Sequence, residues 1–347
     1  MKISYYGYFT PMGGYGIANL NWVKYLRRLG VTVAVDAKFR PFPGSMEWDM
    51  LNEEQREMFD EPFRKYKIGI IETTPEYFHL NECKVKICNT MAEANLIGPE
   101  WVKKINGMHH VIVPNDFYKR VFMDSGVDAT IEVIPHGVDT ELYRYKQRPQ
   151  RKVFKFGSCG YLNERKGAFE MITAFCSEFD KGEPVELHLH STDPDLWYYK
   201  NTVDPRVHIT RDSWNFQEVR QFYYDLDCFV FPSRAEGIGY PPREAMSTGL
   251  PTIIMNYSGL EDIAKDDIAY VLKPDGYEAA NPMREQPGMW AKIDIPQLMY
   301  LMRYVYENQF EARRKGKYAS NEMYENYRWI VSAKKLLNYL ESVNEMH

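Results

Sequence analysis

Short apolar runs alternate with longer stretches of helical period along almost the whole chain, the pattern of βαβ units around a parallel sheet. In the first half, Lys2–Gly7, Val31–Ala37, Lys67–Glu72, Lys84–Asn89, His110–Pro114 and Ile131–Pro135 read as strands. A helix over Ile17–Leu29, with Leu20, Val23, Leu26 and Leu29 on one side, joins the first two, and Asp116–Ser125 leads toward the last. The second half repeats the alternation with Phe154–Cys159, Val185–His190, Val207–Thr210, Cys228–Pro232, Thr252–Met255 and Ala269–Leu272. Helices over Lys166–Phe179, Gln217–Asp225 and Pro242–Thr248 fall between them. Two such sets predict two doubly wound α/β domains. The boundary is expected in Tyr143–Lys152, a polar, Pro-containing stretch without acids that reads as a solvated linker, although its basic cluster with Lys155 could meet a phosphate chain. The expected domains are residues 1–147, joined by a C-terminal helix at about 325–347, and residues 148–324. Tyr324, Tyr327, Ile330, Val331, Leu336, Leu337 and Leu340 recur at helical spacing over Ser320–Glu341, which predicts one helix packed across a surface already built.

Length agrees with this pattern, because 347 residues are too many for one ordinary domain and too few for three. Apolar residues at 44% and charged residues at 26% supply a core and a solvated surface, which excludes the disordered, collagen-like and coiled-coil classes. The 43 Lys+Arg against 48 Asp+Glu leave a net charge of −5, too near neutral for attraction to nucleic acid or anionic membrane by bulk charge. Aromatic residues reach 15%, with 26 Tyr, and a flat apolar face with a polar handle suits sugars and bases. Cys83, Cys88, Cys159, Cys176 and Cys228 are odd in number and form no CxxC pair, so they read as small core residues in a reducing compartment. The N-terminus enters a strand directly, with no signal-peptide pattern, and no apolar run approaches the ~18 residues of a membrane span, so a cytoplasmic location is expected.

Two glycine-rich segments carry candidate chemistry. Gly13-Gly14-Tyr15-Gly16 lies between the first strand and its helix, where backbone N–H groups can face a phosphate or sugar oxygen. It is not the dinucleotide fingerprint, which would need glycine at Asn19, and a tight strand-to-helix turn explains it equally well. The second segment, Phe231–Pro251, leaves the carboxyl end of a strand, crosses a Gly-rich loop and enters a helix at Pro241-Pro242. Such an edge is where open α/β sheets bind ligands, and the helix N-terminus offers positive dipole to a diphosphate. Glu236 in the loop and Glu244 inside the helix can reach different parts of one extended ligand.

This segment resembles the E-x7-E signature of glycosyltransferase family 4, the retaining nucleotide-sugar transferases of GT-B fold. Other stretches agree in order: Gly-Gly-Tyr-Gly near the start, Val113-Pro114-Asn115-Asp116-Phe117, Val133–Asp139, and Gly160–Gly167 opening the second domain. The resemblance implies an α/β architecture of two facing Rossmann-like domains with a cleft between them, a nucleotide-diphosphate sugar as donor and no cofactor or metal. It assigns Glu244 to the ribose hydroxyls, Glu236 to hydroxyls of the donor sugar and Lys166 to the diphosphate. Amides of Gly237, Ile238 and Gly239 complete that cradle, Gly14 and Gly16 face it, and Ser233 and Tyr240 flank it within the donor-binding set.

Two positions depart from the family pattern. The residue after the glycine of the second-domain loop is Tyr161 where the family usually has Arg, and Arg165 is the candidate for the missing charge. A family His near the donor sugar is absent from Asn89–Asn95, where Glu93 is the best-placed substitute and an acid at a helix start is the plain alternative. Asp193-Pro194-Asp195 and Asp225-Leu226-Asp227 read as turn and strand-capping acids, and His188 with His190 as sheet-packing residues without a third metal ligand.

The expected reaction is metal-independent transfer with retention by same-face attack, a diphosphate oxygen helping to deprotonate the acceptor. An epimerase, a phosphorylase and an inactive nucleotide-sugar-binding module share the fold and stay open. The acceptor is a saccharide, a lipid-linked saccharide, a metabolite or a base in DNA. The DNA reading draws on Trp22, Lys24, Tyr25, Arg27 and Arg28 with Lys38–Arg40, and the Arg40–Trp48 loop is a candidate lining of the acceptor site.

Overall fold

The computed structural model describes residues 1–78, 83–194, 196, 204–280 and 287–347. The chain divides into two compact units, Met1–Gly137 with Pro287, Gly288 and Tyr327–His347, and Val138–Ala280 with Met289–Asn326.

In the first unit the chain runs β1 (Lys2–Tyr8), α1 (Gly14–Arg28), β2 (Thr32–Phe39), α2 (Met46–Met50), α3 (Glu53–Glu57), β3 (Ile68–Glu72), β4 (Val85–Asn89), α4 (Pro99–Ile105), β5 (His110–Val113), α5 (Asp116–Asp124) and β6 (Thr130–Val133). All six strands are parallel, in the order β2-β1-β3-β4-β5-β6. The second unit runs β7 (Phe154–Cys159), α6 (Ala168–Glu178), β8 (Val185–His190), β9 (Val207–Thr210), α7 (Phe216–Asp225), β10 (Cys228–Phe231), α8 (Tyr240–Ser247), β11 (Thr252–Met255) and β12 (Tyr270–Leu272). Its sheet is also parallel, in the order β12-β11-β10-β7-β8-β9. An antiparallel hairpin, β13 (Pro274–Ala279) with β14 (Met289–Ile293), and helices α9 (Ile295–Glu307) and α10 (Gln309–Asn326) follow, before α11 (Trp329–Met346) returns to the first unit. These are two Rossmann-like domains, as the alternation of apolar runs implies. Strands such as Ile68–Glu72 and Cys228–Phe231 are buried at every position, which is why they read as continuous apolar runs rather than alternating ones.

Connectivity reverses direction between β1 and β3 in the first sheet and between β7 and β10 in the second, and ligands of open α/β sheets bind beyond the carboxyl ends of strands at such points. Glu72 closes β3, and Pro232–Gly239 follows β10.

Several elements differ from the periodicity reading. Helix α1 starts at Gly14 rather than Ile17, and a Cβ on Gly16 would lie 1.7 Å from the Thr10 carbonyl oxygen, so glycine is required there for backbone approach. Lys166 precedes its helix: it ends a 3-10 turn, Glu164–Lys166, and Gly167 at φ 70° redirects the chain into α6. The expected single helix over Ser320–Glu341 is two helices, with Arg328 extended at φ −65°, ψ 143° between them. The reason is that the two halves pack in different units: Ser320 Oγ donates to the Ser247 carbonyl at 2.7 Å, whereas Trp329 meets Trp22 edge to face at 5.0 Å. Tyr324, part of the supposed stripe, is exposed.

The stretch Tyr143–Lys152 is exposed over most of its length, as a solvated linker would be, but Tyr143, Arg148 and Arg151 are tied into the second unit. Arg148 is buried in the second unit and donates to the carbonyls of Leu226 (3.2 Å), Tyr223 (3.0 Å) and Thr248 (2.9 Å) and to Thr248 Oγ1 (2.9 Å). Arg151 donates to the Tyr224 carbonyl at 3.0 Å and lies 3.5 Å from Asp227. Buried carbonyls left by loops and helix ends need donors, and a guanidinium supplies several at once. The five cysteines carry no disulfide, and among the described residues no helix is long and apolar enough to cross a membrane.

Candidate active site

The loop after β10 is built around one carboxylate. Glu236 is buried, and its Oε1 receives the ammonium of Lys166, a guanidinium N–H of Arg165 at 3.3 Å and the hydroxyl of Ser233 at 2.5 Å. Burial pushes the Glu236 acid upward, but the charges of Lys166 and Arg165 outweigh it and hold the group ionised below its ordinary range. Two cations against one acid leave a local surplus of positive charge at the carboxyl end of β10. Arg165 also donates to the Ala235 carbonyl, and its own carbonyl accepts from the Arg234 N–H at 2.8 Å, so the Lys166 turn and the acidic loop are laced together. Asn163 caps the turn through its side chain to the Lys166 N–H at 3.3 Å.

The loop is held from behind by residues that spacing did not single out. Ser258, at a left-handed φ of 58°, accepts from the Glu236 N–H at 2.8 Å, and Gly259 N–H donates to the Glu236 carbonyl at 2.9 Å. Arg243 is buried and binds the carbonyls of Ile238 (3.2 Å) and Gly259 (3.0 Å) and the Asp262 carboxylate (2.7 Å). Gly239 at φ 72° has no room for a Cβ beside Leu260 and turns the chain into α8, where Pro241 and Pro242 occupy the first turn. Ser233 is fully buried with its hydroxyl spent on Glu236 and the Ala235 carbonyl, so its part is to hold the acid. Ile238 and Tyr240 are buried as well.

Glu244 points into a tyrosine pocket. Its Oε2 accepts from Tyr223 at 2.8 Å, Tyr143 also hydrogen-bonds it, and Cys159 donates to the Tyr223 hydroxyl at 3.3 Å. Burial raises the Glu244 acid to about 7, against which the two hydroxyls work. Tyr223 sits on α7 and Tyr143 just before Arg148, far apart in sequence, so no local pattern could have joined them to Glu244.

The other expected residues take different places. Tyr161 is 53% exposed, and Arg165 faces Glu236 and the Ala235 carbonyl. In the first unit, Gly14 is the first residue of α1 and Gly16 lies against Thr10. Glu93 sits in the irregular stretch between β4 and α4, not at a helix start. Of the residues gathered for a DNA reading, Trp22 and Lys24 are buried, Arg28 pairs with Glu54 at 2.6 Å, and Lys38, Phe39 and Arg40 are exposed. In the Arg40–Trp48 loop Ser45 caps α2 and Arg56 lies over the Trp48 ring, while Phe42 and Met46 are exposed. Asp227 accepts from the Lys155 N–H and Asp193 from the Leu196 N–H, the structural roles expected of them; Asp195 lies outside the described residues.

A third buried glutamate was missed altogether. Glu72, at the end of β3, accepts from Tyr5 (2.6 Å) and Asn89 (3.2 Å), and its other oxygen lies 3.6 Å from His136 Nε2. Burial raises it to about 8. The signal available was an acid closing an otherwise apolar run, Ile68-Gly69-Ile70-Ile71-Glu72.

A likeness to solved structures now defines the class. The fold matches sucrose-phosphate synthase from Thermosynechococcus elongatus with a TM-score of 0.72 at 13% identity, covering 100% of both chains. It matches Anabaena Alr3699/HepE, solved in complex with UDP and glucose, with a TM-score of 0.69 at 14% identity over 99% of this chain and 100% of that one. The architecture is thus the GT-B fold. Residues 153–283 match the family model described as glycosyl transferases group 1. The chain is 29% identical over 121 residues to sulfoquinovosyl transferase SQD2 of Arabidopsis thaliana, 35% of this chain and 21% of that protein. It is 24% identical over 133 residues to the capsular polysaccharide biosynthesis glycosyltransferase CapM of Staphylococcus aureus, 36% of this chain and 34% of that protein. The matches therefore span about a fifth and a third of the lengths of these curated relatives.

Proposed function

We propose that the chain is a retaining glycosyltransferase that moves a sugar from a nucleotide-diphosphate sugar to an acceptor hydroxyl without a metal ion at the donor site. The observation that carries this reading is the Glu236 cluster, an ionised acid clamped by Lys166 and Arg165 beyond the carboxyl end of β10. A donor diphosphate competes with Glu236 for the two cations, drawing Lys166 onto phosphate and releasing carboxylate capacity for sugar hydroxyls. Glu244 in turn takes the ribose hydroxyls through the oxygen capacity that its tyrosines leave.

In the transfer step the bond from the anomeric carbon to the diphosphate oxygen breaks, and its electron pair stays on that oxygen. The acceptor oxygen bonds to the same face of the carbon, and its proton passes to a phosphate oxygen. Lys166 stabilises the charge that develops on the leaving diphosphate. Glu236 is a poor candidate for a covalent nucleophile, because two cations and a hydroxyl lower its basicity. UDP is the first nucleotide to test, since the Anabaena neighbour was solved with it.

The experiment is a thermal-shift screen of nucleotide sugars against the full chain, followed by an assay of donor hydrolysis and transfer to saccharide and lipid-linked acceptors. A selective Tm rise with one nucleotide sugar and release of its nucleotide are expected. No binding of any nucleotide sugar, or turnover that disappears on chelation and returns with a divalent ion, overturns the reading.

A further inference from the structure

Strand alternation puts Glu186, His188 and His190 of β8 on one face of the second sheet. The carboxyl end of that face is covered: the His190 ring stacks on Trp214, and its Nδ1 meets Thr210 Oγ1 at 2.9 Å, the packing role expected of it. The other end is not covered, for Glu186 and His188 are half-buried there. His208 of β9 stands directly across from His188 in the parallel register, with the two rings 4.7 Å apart. His188 Nε2 lies 2.8 Å from Glu186 Oε2, and His208 Nε2 lies 3.8 Å from Glu186 Oε1. One ligand atom from each of the three can be chosen so that all lie within 4.8 Å of one another.

We propose that Glu186, His188 and His208 form a surface site for one divalent transition-metal ion of the zinc class, remote from the donor site. Tetrahedral zinc at about 2.0–2.1 Å from its ligands needs ligand atoms roughly 3.4 Å apart; His188 Nε2 meets one Glu186 oxygen at 2.8 Å and His208 Nε2 the other at 3.8 Å, so the carboxylate turns to present one oxygen to both rings. Closing on an ion therefore needs only side-chain rotation, because strand pairing already fixes the three backbones. Imidazole and carboxylate suit zinc, nickel and cobalt, and the fourth position stays open to water. The opposing feature is Lys155 of β7, whose ammonium lies 3.9 Å from Glu186 Oε2. Glu186 precedes the carboxyl end of β8 by four residues, about 13 Å at strand rise, so an ion here clips the edge strand β9 to β8 and takes no part in sugar transfer.

The test is isothermal titration of the metal-stripped full chain, thiols blocked, with Zn²⁺ and separately Ni²⁺. One equivalent is expected to bind, with a matching Tm rise. His188→Ala with His208→Ala weakens binding by roughly 100-fold, and His208→Gln alone by roughly 10-fold with an unchanged circular dichroism spectrum. Lys155→Ala tightens binding several-fold by removing the competing cation. No binding to the wild-type chain, or binding unaltered by the His188/His208 pair, overturns the proposal. Donor turnover stays unchanged by zinc and by chelation; a change would count against the remote placement and would leave the glycosyltransferase reading to its own assay.

Discussion

The two sheets each bury a glutamate beyond or at the carboxyl end of a strand beside the reversal in connectivity, and treat it in opposite ways. Glu236 in the second unit meets Lys166 and Arg165 and is held ionised. Glu72 in the first meets a tyrosine, an asparagine and His136, and burial leaves it protonated near neutral pH. The same place in the same architecture therefore yields a charged, ligand-ready group in one unit and a neutral polar tie in the other. What separates them is a cation within reach: desolvation acts on both, and only at Glu236 does a charge of opposite sign overcome it.

The largest expected effect comes from removing the charged member of the pair. Glu236→Gln is expected to lower transfer by about 10²–10³-fold with the fold retained, the scale of losing one preorganised electrostatic group. Near-full rate with unchanged donor KM would show that Glu236 has no such part. Lys166→Met makes the Glu236 environment more like that of Glu72. It is expected to cost about 10²-fold in kcat and to move the acidic limb of the pH–rate profile upward, because the acid loses its strongest counter-charge. An unmoved acidic limb would break the comparison.

Glu72 should speak through stability instead. Its acid lies at about 8 in the folded chain and near the ordinary carboxylate value when unfolded, so between those values unfolding releases a proton and stability falls as pH rises. Glu72→Gln keeps the hydrogen bonds of the neutral form. Urea unfolding is expected to find it more stable than wild type by about 1–3 kcal/mol at pH 8 and nearly equal at pH 5, with transfer unimpaired. The same difference at both pH values would mean that Glu72 is ionised throughout. The smallest effect is at Tyr223→Phe, which takes one hydrogen bond from the ionised form of Glu244 and raises that acid above about 7. Donor KM at pH 7 should rise by about 3–10-fold and recover toward wild type at pH 8.5, whereas a purely structural loss would not recover.

Of the two acids, only Glu236 stood out in the sequence. The apolar runs mark all twelve strands of the two parallel sheets, uninterrupted where a strand is buried at every position, as in β3, β5 and β10, and alternating in β9. Glu236 and Glu244 were candidates because glycines and prolines crowd the strand-to-helix turn where ligands bind, and Lys166 and Arg165 were candidates through the resemblance to glycosyltransferase family 4. The partners that give them their properties were not. Tyr143 and Tyr223 reach Glu244 from separate elements, Ser258 reaches Glu236 across a strand connection, and Glu72 meets His136 from 64 positions away in the chain. Each pairing needs the chain to close on itself, and nothing in local spacing encodes it.

Arg148 and the C-terminal helices make the same point from the packing side. A basic, Pro-containing stretch reads as solvated until its guanidinium is found capping buried carbonyls, and one helical stripe becomes two when its halves bury in different units. Local order of residues was enough to mark the strands of both sheets and the main helices between them, because backbone propensity and apolar period act over a few residues. Which acid is charged, which is neutral and which histidines stand together was settled by long-range packing, because pKa and ligand geometry depend on atoms a few ångströms apart in space, whatever their separation along the chain.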